Sequence, residues 1–73
     1  MDRAMLEAHL AQSERHVIEG ESHIVRQRQI ISRLARGTGN LKLAEETLAR
    51  LEFTQASHIA ERNRLRAELA AMK

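Results

Sequence analysis

Two arms of residues run outward from Gly37-Thr38-Gly39-Asn40, the one place where two glycines fall close together, and the arms mirror each other. Leu34 is matched by Leu41, Ile31 by Ala44, Gln27 by Leu48 and Ile24 by Leu51. The matching continues through Gly20 with Gln55, Val17 with His58, Ser13 with Arg62, Leu10 with Leu65, Leu6 with Leu69 and Arg3 with Met72. Each arm steps alternately by three and four residues, the spacing of a seam between helices wound about each other. A chain so patterned is expected to be all-α. The expected form is an antiparallel two-helix hairpin, coiled-coil-like, with one helix over about 2–36, a turn at 37–40 and a second helix over about 41–72. The whole of 1–73 then reads as a single helical hairpin.

A chain of 73 residues lies below the size at which one core comfortably stabilises itself. Two helices touching along a single edge bury little, so a second copy is expected to complete the core as a four-helix bundle. No cysteine is present, which removes disulfides and thiolate metal sites as staples. No apolar run approaches the length of a membrane span, and the N-terminus lacks the continuous apolar core of a signal peptide. A cytoplasmic location away from membranes is the expectation. The formal charge of +2, from 12 basic and 10 acidic residues, is a small imbalance, and with one Phe and no Trp or Tyr the chain lacks platforms for stacking bases. Nucleic acid is therefore not the favoured partner.

In the first helix only Gly20 interrupts good helix formers, at a cost of about 1 kcal/mol relative to Ala. Asp2 can act as the start signal. A seven-residue unit recurs as Glu7-Ala8-His9-Leu10, Glu14-Arg15-His16-Val17 and Glu21-Ser22-His23-Ile24. With Leu10, Val17, Ile24 and Ile31 at heptad position a, the glutamates fall at e and the histidines at g, on opposite flanks of the seam. Successive histidines lie about 10.5 Å apart along the axis at 1.5 Å per residue, too far to share one ion. His16 and His58 are the cross-helix exception, expected as near neighbours. The sequence assigns no metal ligand and no cofactor, and histidine-based metal binding or pH sensing stands as one alternative to a structural role.

At the turn, Gly37 suits the left-handed residue past a helix end and Asn40 the cap of the next helix. Arg26, Arg28, Arg33, Arg36 and Lys42 occur between residues 22 and 44 with no acid among them. This basic tip, with Arg33, Arg36 and Lys42 at its centre, is the candidate contact for an anionic ligand or nucleic acid. Compensation of a helix C-terminus would place arginines there equally well.

The seam is apolar at its ends and polar in its middle, where Gln55, His58 and Arg62 face Gly20, Val17 and Ser13. Large polar side chains thus oppose small residues, and such a layer fixes register and partner choice. As an active site it is poor, because only Ser13 is a candidate nucleophile and no acid is placed to orient the histidine. On the flanks, the pattern pairs Arg28 with Glu45 and Glu7 with Arg66, sets Glu21 against Glu52, and brings His9 near Glu68 and His16 near Glu61. Exposed pairs of this kind contribute only a few tenths of a kcal/mol.

Apolar residues left over from the seam gather on one side. Ala4, Ala11, Ile18 and Val25 at b of the first helix lie beside Phe53, Ala56 and Ile59 of the second. A contiguous apolar stripe on so small a chain marks an interface. Ile18, Val25, Phe53, Ala56 and Ile59 are expected at the centre of a homodimer contact, with a helix from another protein as the competing occupant.

The run from Glu14 to Arg28, with Glu14-Arg15-His16-Val17, Glu19-Gly20-Glu21 and His23-Ile24, resembles a recurrent motif of short helical proteins of α-proteobacteria, particularly rhizobia and relatives. The stretch Glu52 to His58 is similar to a feature of their second half. The resemblance implies a bacterial, cytoplasmic protein and carries no established activity. The sequence as a whole points to a non-enzymatic, self-associating module for protein–protein interaction.

Overall fold

The computed structural model describes residues 1–34, 36 and 39–72. Two helices account for nearly all of them, α1 over Arg3–Arg33 and α2 over Gly39–Ala71, and no strand occurs among the described residues. They pack against each other over a body 56 × 14 × 13 Å in extent.

Asp2 starts α1 as the sequence suggests. Its backbone is extended, with φ −77° and ψ 170°, and Oδ1 accepts the Met5 N–H at 2.8 Å, satisfying one of the donors that a helix start leaves open. The far end of α1 differs from expectation, stopping at Arg33 rather than near 36. Leu34 turns extended at φ −80° and ψ 142°, with its N–H donating to the Ile31 carbonyl at 3.1 Å. Within this last turn the Ser32 hydroxyl bonds the Gln29 carbonyl at 2.7 Å. The second helix begins at Gly39, so Asn40 lies within it, exposed, and not at the expected cap. The proposed left-handed role of Gly37 falls outside the described residues.

The residues that the mirrored pattern assigns to the seam are the ones shielded from solvent. Leu6, Ser13 and Ile24 of α1 and Ala44, Gln55 and Leu65 of α2 are buried, and Leu10, Val17, Gln27, Leu48, His58 and Arg62 are half-buried. Arg3 departs from the pattern. It stays exposed and pairs along its own helix with Glu7 at 2.8 Å. Two seam glutamines tie the helices by hydrogen bonds, Gln27 Nε2 to the Ala44 carbonyl at 2.9 Å and Gln55 Nε2 to the Val17 carbonyl at 2.8 Å. Early residues of one helix thus meet late residues of the other, so the hairpin is antiparallel.

The flanking ion pairs are corrected by a full heptad. Arg28 meets Glu52, at 3.1 Å, and not Glu45; Arg66 meets Glu14, at 2.9 Å, and not Glu7. The cause is the tilt of every Cα–Cβ bond toward its own helix N-terminus. In an antiparallel pair the side chains of Arg28 and Glu52 lean toward each other, whereas those of Arg28 and Glu45 lean apart. By the same tilt Glu21 and Glu52 lean apart, and the Glu52 carboxylate is met by Arg28. On the other flank, Arg64 bonds both Glu61 and Glu68 along α2, and Glu61 borders one cavity with His16, its expected neighbour.

Candidate functional site

The polar layer at mid-hairpin contains the most chemically distinctive arrangement in the molecule. Gly20 removes a side chain from α1, and the Gln55 side chain fills that space. Gln55 is only 5% exposed, and its amide is held by its bond to the Val17 carbonyl. One turn further along α2, His58 comes up beside His16 of α1, with ring centroids 5.1 Å apart and planes tilted by 35°. The heptad pattern accounts for this. His16 sits at the seam's edge at g, His58 sits within the seam, and the antiparallel register brings the two to the same level.

Between them lies a cavity of about 140 Å³. His16, Glu19, Gly20 and His23 border it from α1 and Leu51, Thr54, Gln55 and His58 from α2. Two buried polar atoms of these lining residues make no hydrogen bond, Gln55 Oε1 and His58 Nδ1. In a protein interior such atoms are rare, because each one unbonded costs about 1–3 kcal/mol. Their coincidence at one cavity is a feature that sequence reading missed. The signal available was Gly20 opposite Gln55, which foretold a close approach but not which amide atom would be left over.

The remaining sequence-predicted residues are placed as follows. Ser13 is buried and Arg62 half-buried in the seam, where Arg62 donates to Asn63 Oδ1 at 3.1–3.2 Å. Arg33, Arg36 and Lys42 are all exposed at the closed end, and a cavity there of about 300 Å³ is bordered by Arg36, Leu34 and Leu41 together with the acid Glu45. Ile18 is 69% and Phe53 78% exposed, Val25 and Ala56 are exposed, and Ile59 is half-buried.

Electrostatics adds one local feature. Glu61, on the wall of a second cavity with His9, Gln12, Ser13 and His16, is held below its ordinary titration range chiefly by the hydrogen bond from Arg64. Arg64 is correspondingly pushed further into its charged form, first by that same bond.

Among the described residues no helix is long and apolar enough to cross a membrane. Compared with protein-family profiles, curated proteins and solved structures, the chain matches none of them.

Proposed function

We propose that this hairpin is a non-enzymatic interaction module whose apolar side binds a second copy of the same chain, forming a four-helix bundle. The observation that carries the reading is the outward display of Ile18, Val25 and Phe53 on a chain whose seam buries four apolar residues among those described. On a body so thin, no second layer among the described residues covers these large apolar side chains, which are 44–78% exposed. A four-helix bundle covers such a side by pairing hairpins.

The shape of the patch favours a copy of itself. Ile18, Val25, Ala56, Ile59 and Phe53 lie at mid-length, and the ion pairs Arg28–Glu52 and Glu14–Arg66 flank them toward either end. An apolar centre bounded by charge of both signs is self-complementary under a two-fold axis, the commonest symmetry of soluble oligomers. Small alanines along the same side, Ala11 and Ala56, let a facing helix approach closely. Ser13, the seam's one hydroxyl, is buried rather than presented to solvent, which fits a structural layer better than a nucleophile.

Sedimentation equilibrium at micromolar concentration tests the proposal. A dimer is expected for the natural chain and a monomer for Ile18→Glu, and a folded monomer of the natural chain overturns it.

A further inference from the structure

The paired imidazoles and the two unbonded atoms at the central cavity have a joint explanation. Two imidazole nitrogens at about 2.0–2.1 Å from one tetrahedral ion put their ring centroids roughly 5 Å apart. His16 and His58 stand at 5.1 Å. A histidine on a metal offers one nitrogen to the ion and donates its other N–H to an oxygen acceptor, which fixes the tautomer. His58 Nδ1 is buried without a partner, and Gln55 Oε1, an acceptor one helical turn away, is buried without one too. The two atoms are not bonded to each other here; turned toward that oxygen, a proton on Nδ1 would leave the lone pair of His58 on Nε2.

We propose that His16 and His58 form a two-imidazole site for a divalent late first-row cation such as Zn²⁺, with Gln55 as the positioning residue that sets the His58 tautomer. Neutral imidazole suits Zn²⁺, Ni²⁺ and Cu²⁺, whereas Mg²⁺ and Ca²⁺ want oxygen ligands. Among the described residues no three His, Asp or Glu side chains converge as a metal cluster, so the protein supplies two ligands and water completes the coordination. Glu19 borders the same cavity. The ion would clip α1 to α2 through the polar layer, the stretch of the seam that gains least from apolar burial. His16 lies on the flank opposite Ile18 and Phe53, so the site is separate from the proposed dimer face.

Calorimetric titration of the untagged full chain with ZnCl₂ tests this, alongside thermal melting. One zinc per chain and a melting temperature that rises with excess zinc are expected, because a ligand bound only by the folded state stabilises it. No response to MgCl₂ is expected. His16 is exposed, so His16→Ala keeps the fold, and zinc affinity should drop at least about tenfold with loss of the thermal shift. His23→Ala should bind as the natural chain does. Gln55→Met should weaken binding by about tenfold at unchanged stoichiometry; if that variant unfolds, His16→Ala carries the test alone. Zinc binding unchanged in His16→Ala, lost in His23→Ala, or matched by magnesium overturns the site. Sedimentation in EDTA reads self-association separately, so either proposal can fail without the other.

Discussion

The Gln55 amide occupies the space in which a side chain on Gly20 would have to sit: a β-carbon there would lie 1.9 Å from Gln55 Oε1 and 2.8 Å from its Cδ. Replacing Gly by Ala inside a helix ordinarily gains about 1 kcal/mol. Here the gain is opposed by displacement of a buried, hydrogen-bonded side chain, and overpacking of that kind costs about 1–3 kcal/mol. Gly20→Ala should therefore destabilise the fold by about 1 kcal/mol net. In a Gln55→Ala background the obstacle is gone, and the same change should stabilise. Urea denaturation of the four variants measures the sign reversal, and the same sign in both backgrounds would show that Gln55 simply swings away.

The Arg28–Glu52 pairing makes a second test of register. A double-mutant cycle on these two residues should return a coupling of about 0.2–1 kcal/mol that fades with added salt. The cycle on Arg28 and Glu45 should return none. Coupling to Glu45 in place of Glu52 would mean that the helices are set one heptad away from the arrangement described.

These two relationships also mark how far the sequence could be read. The seam was legible because it rests on periodicity alone, and residues from Leu6 to Leu34 and from Leu41 to Met72 at the mirrored positions are the shielded ones. The opposition of Gly20 and Gln55 followed from the same alignment. The ion pairs were misread because residue spacing counts positions of Cα atoms, whereas contacts are made by side chains that all lean toward the N-terminus of their own helix. The early end of α1 was not legible either. Arg33, Leu34 and Arg36 are all good helix formers, so nothing in local propensity marks the stop at Arg33. At the candidate site the closeness of His16 and His58 was readable from register, but the stranded Oε1 and Nδ1 atoms depend on side-chain torsions that no residue pattern encodes.

Glu61 provides a prediction in pH. Its carboxyl titrates below its ordinary value of 4.5, mainly because Arg64 donates a hydrogen bond to the charged form. A folded-state value below the unfolded one means that the pair stabilises the fold above the ordinary value, and that this contribution is lost as pH falls through the lowered one. Arg64→Gln should move the Glu61 midpoint upward toward 4.5, as followed by carboxyl carbon chemical shifts. Both side chains stand in solvent, so the accompanying loss of stability should be small and should shrink further in high salt. An unmoved midpoint would mean that the Arg64 guanidinium spends its time on Glu68 instead.

Phe53 separates the stability of the hairpin from that of its assembly. At 78% exposure its ring contributes little to the fold of a single chain, so Phe53→Ala should leave the monomer's helix content and melting almost untouched. In a dimer that buries the ring, the same truncation removes a large apolar contact and costs about 3–5 kcal/mol if burial is complete. The two cases are distinguished by mass action, since the melting temperature of a protein folded only as an oligomer, or stabilised by becoming one, rises with concentration. Between about 5 and 500 µM the natural chain should therefore melt higher at the higher concentration, and Phe53→Ala should lose most of that dependence. A melting temperature independent of concentration in the natural chain would leave Phe53 facing water, and the apolar side would then need a different occupant.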